Sequence, residues 1–379
     1  IEKREYQICT NCVMDTTDPD IQFDENGVCN HCRTYPAVAR ATSVPFAEGG
    51  EQIVNALVKE IKDKGTNKAY DCIIGVSGGV DSTYVAYKVK ELGLRPLAVH
   101  LDNGWNSELA VNNIEKTLKV LKIDLYTHVI DWEEFKKIQL AFLLASTTEG
   151  ELPTDHAILA ILYRAAMEHG LEYIIVGGNH SSEGILPVSW AYGSKDWRYT
   201  KNIIKKFGGV KIETWPHFSL ADYFYYVFIK GIKSIRILEY LSYNKNEAMK
   251  ILEKELCWKY YGGKHYESVY TRFYQGYILP RKFNIDKRKC HLSSLICAGQ
   301  MTRQEALEKL QEDTYPPLLQ QQDREYVTKK LGITEEEFEN IMSMPVKSFS
   351  DYPNNYEIFK LLFAMLKYVR KAGVKIRSH

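Results

Sequence analysis

The sequence predicts an α/β protein: an open parallel sheet with helices on both faces, preceded by a small metal-binding knuckle and followed by a mainly helical lobe. Three observations carry this reading. Short apolar runs alternate with segments of helical period between residues 51 and 176. The first of those runs ends in a glycine turn, Ser77-Gly78-Gly79, that opens directly onto a helix. Four of the eight cysteines crowd into the first 32 residues as two CxxC pairs.

Each element can be justified in chain order. Cys9-Thr-Asn-Cys12 and Cys29-Asn-His-Cys32 are separated by 16 residues, and two such knuckles complete a tetrahedral four-thiolate site. Zinc is the expected occupant; a redox dithiol and a pair of disulfides are the alternatives. His31 is a substitute ligand, but four cysteines already fill the coordination sphere. Asn26-Gly27 reads as the turn of a short hairpin between the pairs. Residues 36–50 read as a linker, and 51–64 as a helix. Cys72 to Val76 is a buried strand, Asp81 to Leu92 a helix, Arg95 to Leu101 a second strand and Asn106 to Leu121 a helix. Leu125 to Ile130, Trp132 to Ala145, Ala157 to His169 and Tyr173 to Val176 continue as strand, helix, helix and strand. From about Pro216 the alternation stops and helical segments dominate, over 220–243, 246–260, 303–311, 325–331, 335–342 and 355–372. The expected domains are therefore a knuckle over 1–45, a nucleotide domain over 46–215 and a substrate lobe over 216–379.

Composition bounds the function. The chain has 379 residues, 45% of them hydrophobic and 26% charged, with a formal net charge of +1. That balance suits a folded enzyme with a substantial core and argues against a non-specific polyanion binder, so nucleic acid is not the expected partner. The aromatic run Tyr223 to Ile229 is far too short to span a bilayer, so no membrane partner is expected. The opening IEKREYQ has no apolar signal region, and the clustered cysteines suit a reducing compartment; the expectation is a cytoplasmic protein.

The glycine turn is where chemistry concentrates. Consecutive glycines let the backbone approach a ligand, and the following helix N-terminus favours an anion. Ser77, Gly78, Gly79, Asp81 and Ser82 are the candidate pyrophosphate-binding residues. The turn carries no lysine and no G-x-x-x-x-G-K-[ST], so it is not a Walker A loop. In an open parallel sheet, ligands lie beyond the carboxyl ends of the strands. Asp102 and Asn103 after the second strand, Asp155, Gly178 and His180 should therefore converge on the same spot. Asp81 and Asp155 are the candidate catalytic carboxylates, placed near magnesium bridging the phosphates of ATP; Thr154 or Asp155 reads equally well as a helix N-cap, and His180 as an ordinary loop histidine. In the C-terminal lobe Arg281, Lys282, His291 and Arg303 suit an anionic sugar or a nucleotide's phosphates, or form a solvated charge run.

The loop YDCIIGVSGGVDSTYV resembles the SGGxDS pyrophosphate loop of the ATP pyrophosphatase (PP-loop, adenine nucleotide alpha-hydrolase-like) superfamily. With CTNCVMD, DENGVCNHC, LDNGWNSELAV, PTDHAI, GGNHSSEG, YGGKHYES, TRFYQGYILPRKF and HLSSLICAGQMTR, nearly the whole chain resembles the N-acetyl sugar amidotransferase family, the WbpG- and PseA-type enzymes of bacterial surface-polysaccharide and flagellar sugar synthesis. The resemblance implies conversion of a sugar acetamido group to acetamidino at the expense of ATP, with pyrophosphate at Ser77 to Ser82 and zinc on Cys9, Cys12, Cys29 and Cys32. No glutaminase nucleophile is recognisable, so a separate glutaminase or synthase-like partner supplying ammonia, or free ammonia, is implied. The alternative is a tRNA-thiolating member of the same superfamily.

Overall fold

The computed structural model describes residues 5–42 and 49–362. Five parallel strands form one sheet in the order β3-β2-β1-β4-β5: β1 Cys72–Gly75, β2 Pro96–Asp102, β3 Asp124–Val129, β4 Tyr173–Val176 and β5 Lys233–Arg236. Ile73 pairs with Leu97 on one side and with Ile174 on the other, so β1 lies at the centre. Strand order reverses there, which places the topological switch point between β1 and β4, where such sheets bind ligands.

The central strands β1, β2 and β4 are covered on both faces, as their near-continuous apolar runs require, while edge strand β3 is largely exposed. Helices α2 (Gly50–Gly65), α3 (Val80–Glu91) and α4 (Glu108–Leu121) pack one face with α10 (Lys245–Leu256), burying Val54, Ile61, Val85, Leu118 and Trp258. Helices α5 (Trp132–Ala145) and α6 (Leu152–Glu168) cover the other, burying Phe135, Phe142 and Leu162. Short helices α7 (His180–Glu183), α8 (Trp197–Ile203) and α9 (Leu220–Phe224) follow β4; α11 (Val269–Phe273), α12 (Leu279–Phe283), α13 (Arg288–Cys297), α14 (Arg303–Gln311), α15 (Pro317–Leu331) and α16 (Glu335–Ser343) build the C-terminal lobe. Among the described residues no helix is long and apolar enough to cross a membrane.

Two expectations need correction. The sheet runs past the expected boundary at residue 215, because β5 pairs with β4 from Tyr173↔Lys233 to Val176↔Arg236. Residues 237–258 then return to the nucleotide domain's own core through Ile237, Leu252 and Trp258. Residues 36–42 are not linker: α1 (Asn30–Thr42) runs through Pro36; 43–48 lie outside the described residues, and Gly50 already opens α2. The helix expected over 355–372 likewise extends beyond them.

The N-terminal knuckle is not a free appendage. The turn at Gly27 (φ 74°) closes a hairpin in which Phe23 and Cys29 pair. The Ser293 hydroxyl accepts the Val13 amide hydrogen at 3.2 Å, and Arg303 donates to the carbonyls of Cys9 and Cys12 at 3.0–3.1 Å. The knuckle thus docks on α13 and α14 of the C-terminal lobe. That lobe is in turn sewn to the sheet: Ser107 N–H donates to Glu267 O and Val269 N–H to Trp105 O, both at 2.8 Å.

Candidate active site and metal centre

The glycine turn has a conformation only its sequence allows. Gly78 sits at φ 78°, and a Cβ there would lie 2.6 Å from the carbonyl oxygen of Ala110, so any side chain is excluded. Gly79 is extended (φ −73°, ψ 164°) and caps α3. Ser77 N–H donates to the Ser82 hydroxyl (3.2 Å), which donates to Gly79 O (3.2 Å), while Gly79 N–H donates to the Ser77 hydroxyl (3.3 Å). Two aromatic side chains brace the turn: Trp258 Nε1–H donates to Gly78 O at 3.0 Å, and the Tyr261 hydroxyl accepts from Val80 N–H at 3.1 Å.

A cleft of about 190 Å³ opens above the turn, lined by Ser77, Gly79, Asp81, Ser82, Gly177 and Gly178 from the sheet and by Glu183, Lys245, Tyr261, Lys264, His265 and Glu267. Asp81 accepts from the Tyr243 hydroxyl. Burial raises its pKa and Glu183 adds to the rise, while Lys264, Lys245 and Tyr243 oppose it. A carboxylate so placed gains from a hard cation beside it, so Asp81 fits a magnesium ligand. Asp155, in the first turn of α6, is open to water yet crowded by protein. Burial, then Glu151, push its pKa up to about 7 against the pull of Lys287 and His265. The N-cap of α6 is Glu151, so neither Thr154 nor Asp155 caps it.

Beyond the cleft lies a larger chamber of about 670 Å³, walled by Tyr260, Gly262, Gly263 and Tyr266 of one loop and by Arg272, Lys287, Arg288, His291 and Lys309 of the C-terminal lobe. Lys245 and Lys264 line both spaces. Lys264 pairs with Glu183 (3.2 Å) and donates to His291 Nδ1 (3.0 Å). Burial, then Lys264, hold the His291 pKa well below its ordinary value, so the ring is neutral. Burial lowers the Lys245 pKa against the pull of Asp81.

The sequence-predicted residues divide accordingly. Ser77, Gly79, Asp81, Ser82 and Gly178 line the cleft and His291 the chamber. Gly78 shapes the turn without lining the cleft, and Asp155 lines neither space but feels the charges of Lys287 and His265, which do. The other assignments change. Asn103 is buried and donates to the Thr154 hydroxyl at 3.0 Å, pinning the β2 loop to α6, and Asp102 opens on a separate cavity of about 510 Å³ beside β3. His180 packs its ring 4.3 Å from that of Tyr35 and joins α7 to the knuckle helix. Arg281 lies over the Tyr277 ring and bonds Gln320; Lys282 donates to the carbonyls of Ile341, Met342 and Met344 at the end of α16; Arg303 holds the knuckle. Those three cations satisfy backbone and packing, not a ligand. The residues the sequence did not single out are Tyr243, Lys245, Tyr261, Lys264, His265 and Glu267; a glycine pair followed by charge in YGGKHYES was the available signal.

The four knuckle sulfurs all lie within 4.8 Å of one another, with Cys9–Cys32 at 3.9 Å and Cys12–Cys29 at 3.7 Å. Sulfurs about 2.3 Å from one tetrahedral ion stand about 3.8 Å apart, so the cage fits a single metal ion. Backbone N–H groups of Asn11, Cys12 and Cys29 point at Cys9 Sγ (3.2–3.4 Å) and would stabilise thiolate charge. His31 is outside the cage, 2.7 Å from Asp18.

Parallel strand order, a glycine turn at the switch point and a helix N-terminus facing a cleft lined by Lys245 and Lys264 beside Asp81, Glu183 and Glu267 are the features of a PP-loop fold. Residues 267–367 match the family model described as LPS biosynthesis protein WbpG-like, C-terminal domain. The chain is 31% identical over 121 residues to tRNA-specific 2-thiouridylase MnmA 2 of Fusobacterium nucleatum, covering 29% of this chain and 34% of that protein. It is 32% identical over 112 residues to tRNA-specific 2-thiouridylase MnmA of Helicobacter hepaticus, covering 27% and 32%. The chain therefore spans about a third of the length of these curated relatives. A slighter likeness is to the U34-tRNA thiolase NcsA from Methanococcus maripaludis, solved with its [4Fe-4S] cluster, at 13% identity and TM-score 0.33, covering 88% of this chain and 90% of that one. These partial likenesses support a PP-loop ATPase superfamily member, and residues 267–367 are WbpG-like.

Proposed function

We propose that the protein is an ATP-dependent amidotransferase that converts an acetamido group on an anionic or nucleotide-linked sugar into an acetamidino group, in bacterial surface-polysaccharide or flagellar glycan synthesis. The observation that carries it is the wall shared by two cavities. Lys245 and Lys264 line both the cleft above the glycine turn and the chamber built with the WbpG-like lobe. A nucleotide in the first and a sugar in the second would meet at these two amines.

An amide carbonyl resists amination because its oxygen leaves poorly. Attack by that oxygen on the α-phosphorus expels pyrophosphate and turns the oxygen into part of an AMP leaving group, which ammonia then displaces. The amide, ATP and ammonia become the amidine, AMP and pyrophosphate. Ser77, Gly79, Ser82 and the α3 N-terminus hold the leaving pyrophosphate. Asp81, positioned by Tyr243, would hold magnesium, which neutralises phosphate charge when bound. Lys245 and Lys264 place positive charge where negative charge develops on the reacting phosphoryl group. Asp155, with a pKa near neutrality, would take the proton that ammonia sheds. Ammonia would come from a separate glutaminase or synthase-like partner, in the cytoplasm. Zinc is the ion proposed for the knuckle, in a closed structural site; sulfurs 3.7–3.9 Å apart suit one ion, whereas a four-iron cluster would spread its cysteines much wider.

Mass spectrometry of reactions containing candidate N-acetylated sugars, ATP and ammonium tests the proposal; a product lighter by about one mass unit, O exchanged for NH, is expected. The likeness to tRNA-specific 2-thiouridylases favours a second reading, adenylation of a tRNA base. Sulfur incorporation into bulk tRNA, with no change in any sugar, would establish that reading instead.

A further inference from the structure

The four-cysteine cage has a fifth sulfur beside it. Cys297, the last residue of α13, places its Sγ 3.7 Å from Cys32 Sγ, the same separation as within the cage. It is not one of the four mutually close sulfurs. It also differs from them in access: Cys9, Cys12 and Cys29 are 0% exposed and Cys32 is 7% exposed, whereas Cys297 is half-buried. Its position is enforced by α13, which grips the knuckle through Ser293 and through the Lys289–Asp15 ion pair, while Arg303 of α14 holds two knuckle carbonyls. Cys32 comes from the start of α1 and Cys297 from the end of α13, so a bond between them would join the knuckle to the lobe that walls the chamber.

We propose that Cys297 and Cys32 form a peroxide-sensitive pair whose oxidation to a disulfide releases the knuckle's metal. The inference rests on the zinc reading above. The half-buried Cys297 sulfur, the more accessible of the pair, attacks one oxygen of a hydroperoxide; the O–O bond breaks, water or an alcohol leaves, and Cys297 becomes a sulfenic acid. The adjacent Cys32 sulfur then attacks Cys297 Sγ, the S–S bond forms, and the S–O bond breaks to release water. Two electrons pass from the two sulfurs to the peroxide, and the metal's own oxidation state does not change. Three thiolates remain around the ion, and a closed tetrahedral site that loses one ligand loses affinity. The small knuckle then lacks the ion that organises it, and a thiol reductant with added metal restores the starting state.

The experiment uses the full-length, reduced, metal-loaded protein. Metal content is measured first. Hydrogen peroxide is then added in the presence of a metallochromic zinc indicator, and disulfides are mapped by peptide mass spectrometry without reduction. The expected result is about one zinc released per chain, a cross-linked peptide pair containing Cys32 and Cys297, and zinc release at least about tenfold slower in both Cys297→Ala and Cys297→Ser. Disulfides found only within Cys9, Cys12, Cys29 and Cys32, or variants that lose zinc at the wild-type rate, would overturn the proposal alone. Untreated protein without zinc would overturn the zinc reading, and this inference with it.

Discussion

The hydroxyl of Tyr261 accepts the amide hydrogen of Val80 at 3.1 Å, occupying the first N–H group that α3 offers to an anion. ATP and this tyrosine therefore compete for one donor. Tyr261→Phe removes the competitor, and a hydrogen bond of this kind is worth about 0.5–1.5 kcal/mol. The variant should bind ATP about two- to tenfold more tightly by titration calorimetry. Weaker binding would mean that the hydroxyl itself contacts the nucleotide.

The two glycines of the turn should respond oppositely to the same methyl group. Gly78 has φ 78°, and its added Cβ would stand 2.6 Å from a backbone oxygen, so Gly78→Ala should lower the melting temperature, by about 1–2 kcal/mol in stability or more. Gly79 has an ordinary backbone, and its Cβ would meet Ser77, Tyr261 and Glu267 side-chain atoms at 3.3 Å. Gly79→Ala should fold near-normally and lose AMP formation, because the methyl enters the anion's space. Thermal melts and initial rates on both proteins check the pair.

Lys245 has no hydrogen-bond or ion-pair partner among the described residues, and burial disfavours its charge. Lys245→Met should leave the melting temperature unchanged or higher while slowing AMP formation about 10²–10³-fold, the scale for removing one group that stabilises developing charge. A variant of wild-type rate would remove Lys245 from the mechanism. Arg281→Met and Lys282→Met should do the reverse, lowering stability without changing the sugar's KM, since both side chains bind within the fold.

Asp155 gives a pH-dependent signature. Its folded pKa is raised to about 7 by burial first, from an ordinary value of 3.8. Between those values the folded protein keeps a proton that the unfolded chain has released, so this residue's contribution to stability falls as pH rises through the window and levels off above about 7. Asp155→Asn cannot ionise. Its melting temperature relative to wild type should therefore rise from pH 4 to pH 8, measured in EDTA to keep cations from Asp155. A constant difference across that range would contradict the assignment.

Much of this architecture is legible in the sequence, and the failures have physical causes. The turn at Ser77-Gly78-Gly79, the first four strands and the cysteine cage follow from local pattern: apolar period, glycine geometry and ligand spacing. β5 was missed because Lys-Ser-Ile-Arg is short, polar and only alternately sheltered at a sheet edge. α1 was missed because Pro36 reads as a breaker, although the helix runs through it. Charge was the least readable signal. Arg281, Lys282 and Arg303 look like ligand-binding cations in sequence, but folding spends them on carbonyls and rings. Lys245 and Lys264 reach the cleft only because α10 and the 260–268 loop fold back over Asp81, a long-range arrangement with no local mark.

In the proposed reaction ATP activates a sugar's acetamide oxygen beside Lys245 and Lys264. Oxygen-18 in the acetyl carbonyl of the sugar substrate tests it most directly. With ATP and nitrogen-15 ammonium, the label should appear in the phosphate of AMP, with unlabelled pyrophosphate as co-product and nitrogen-15 in the sugar. Oxygen-18 retained in the sugar, or ADP and phosphate as the products, would contradict it.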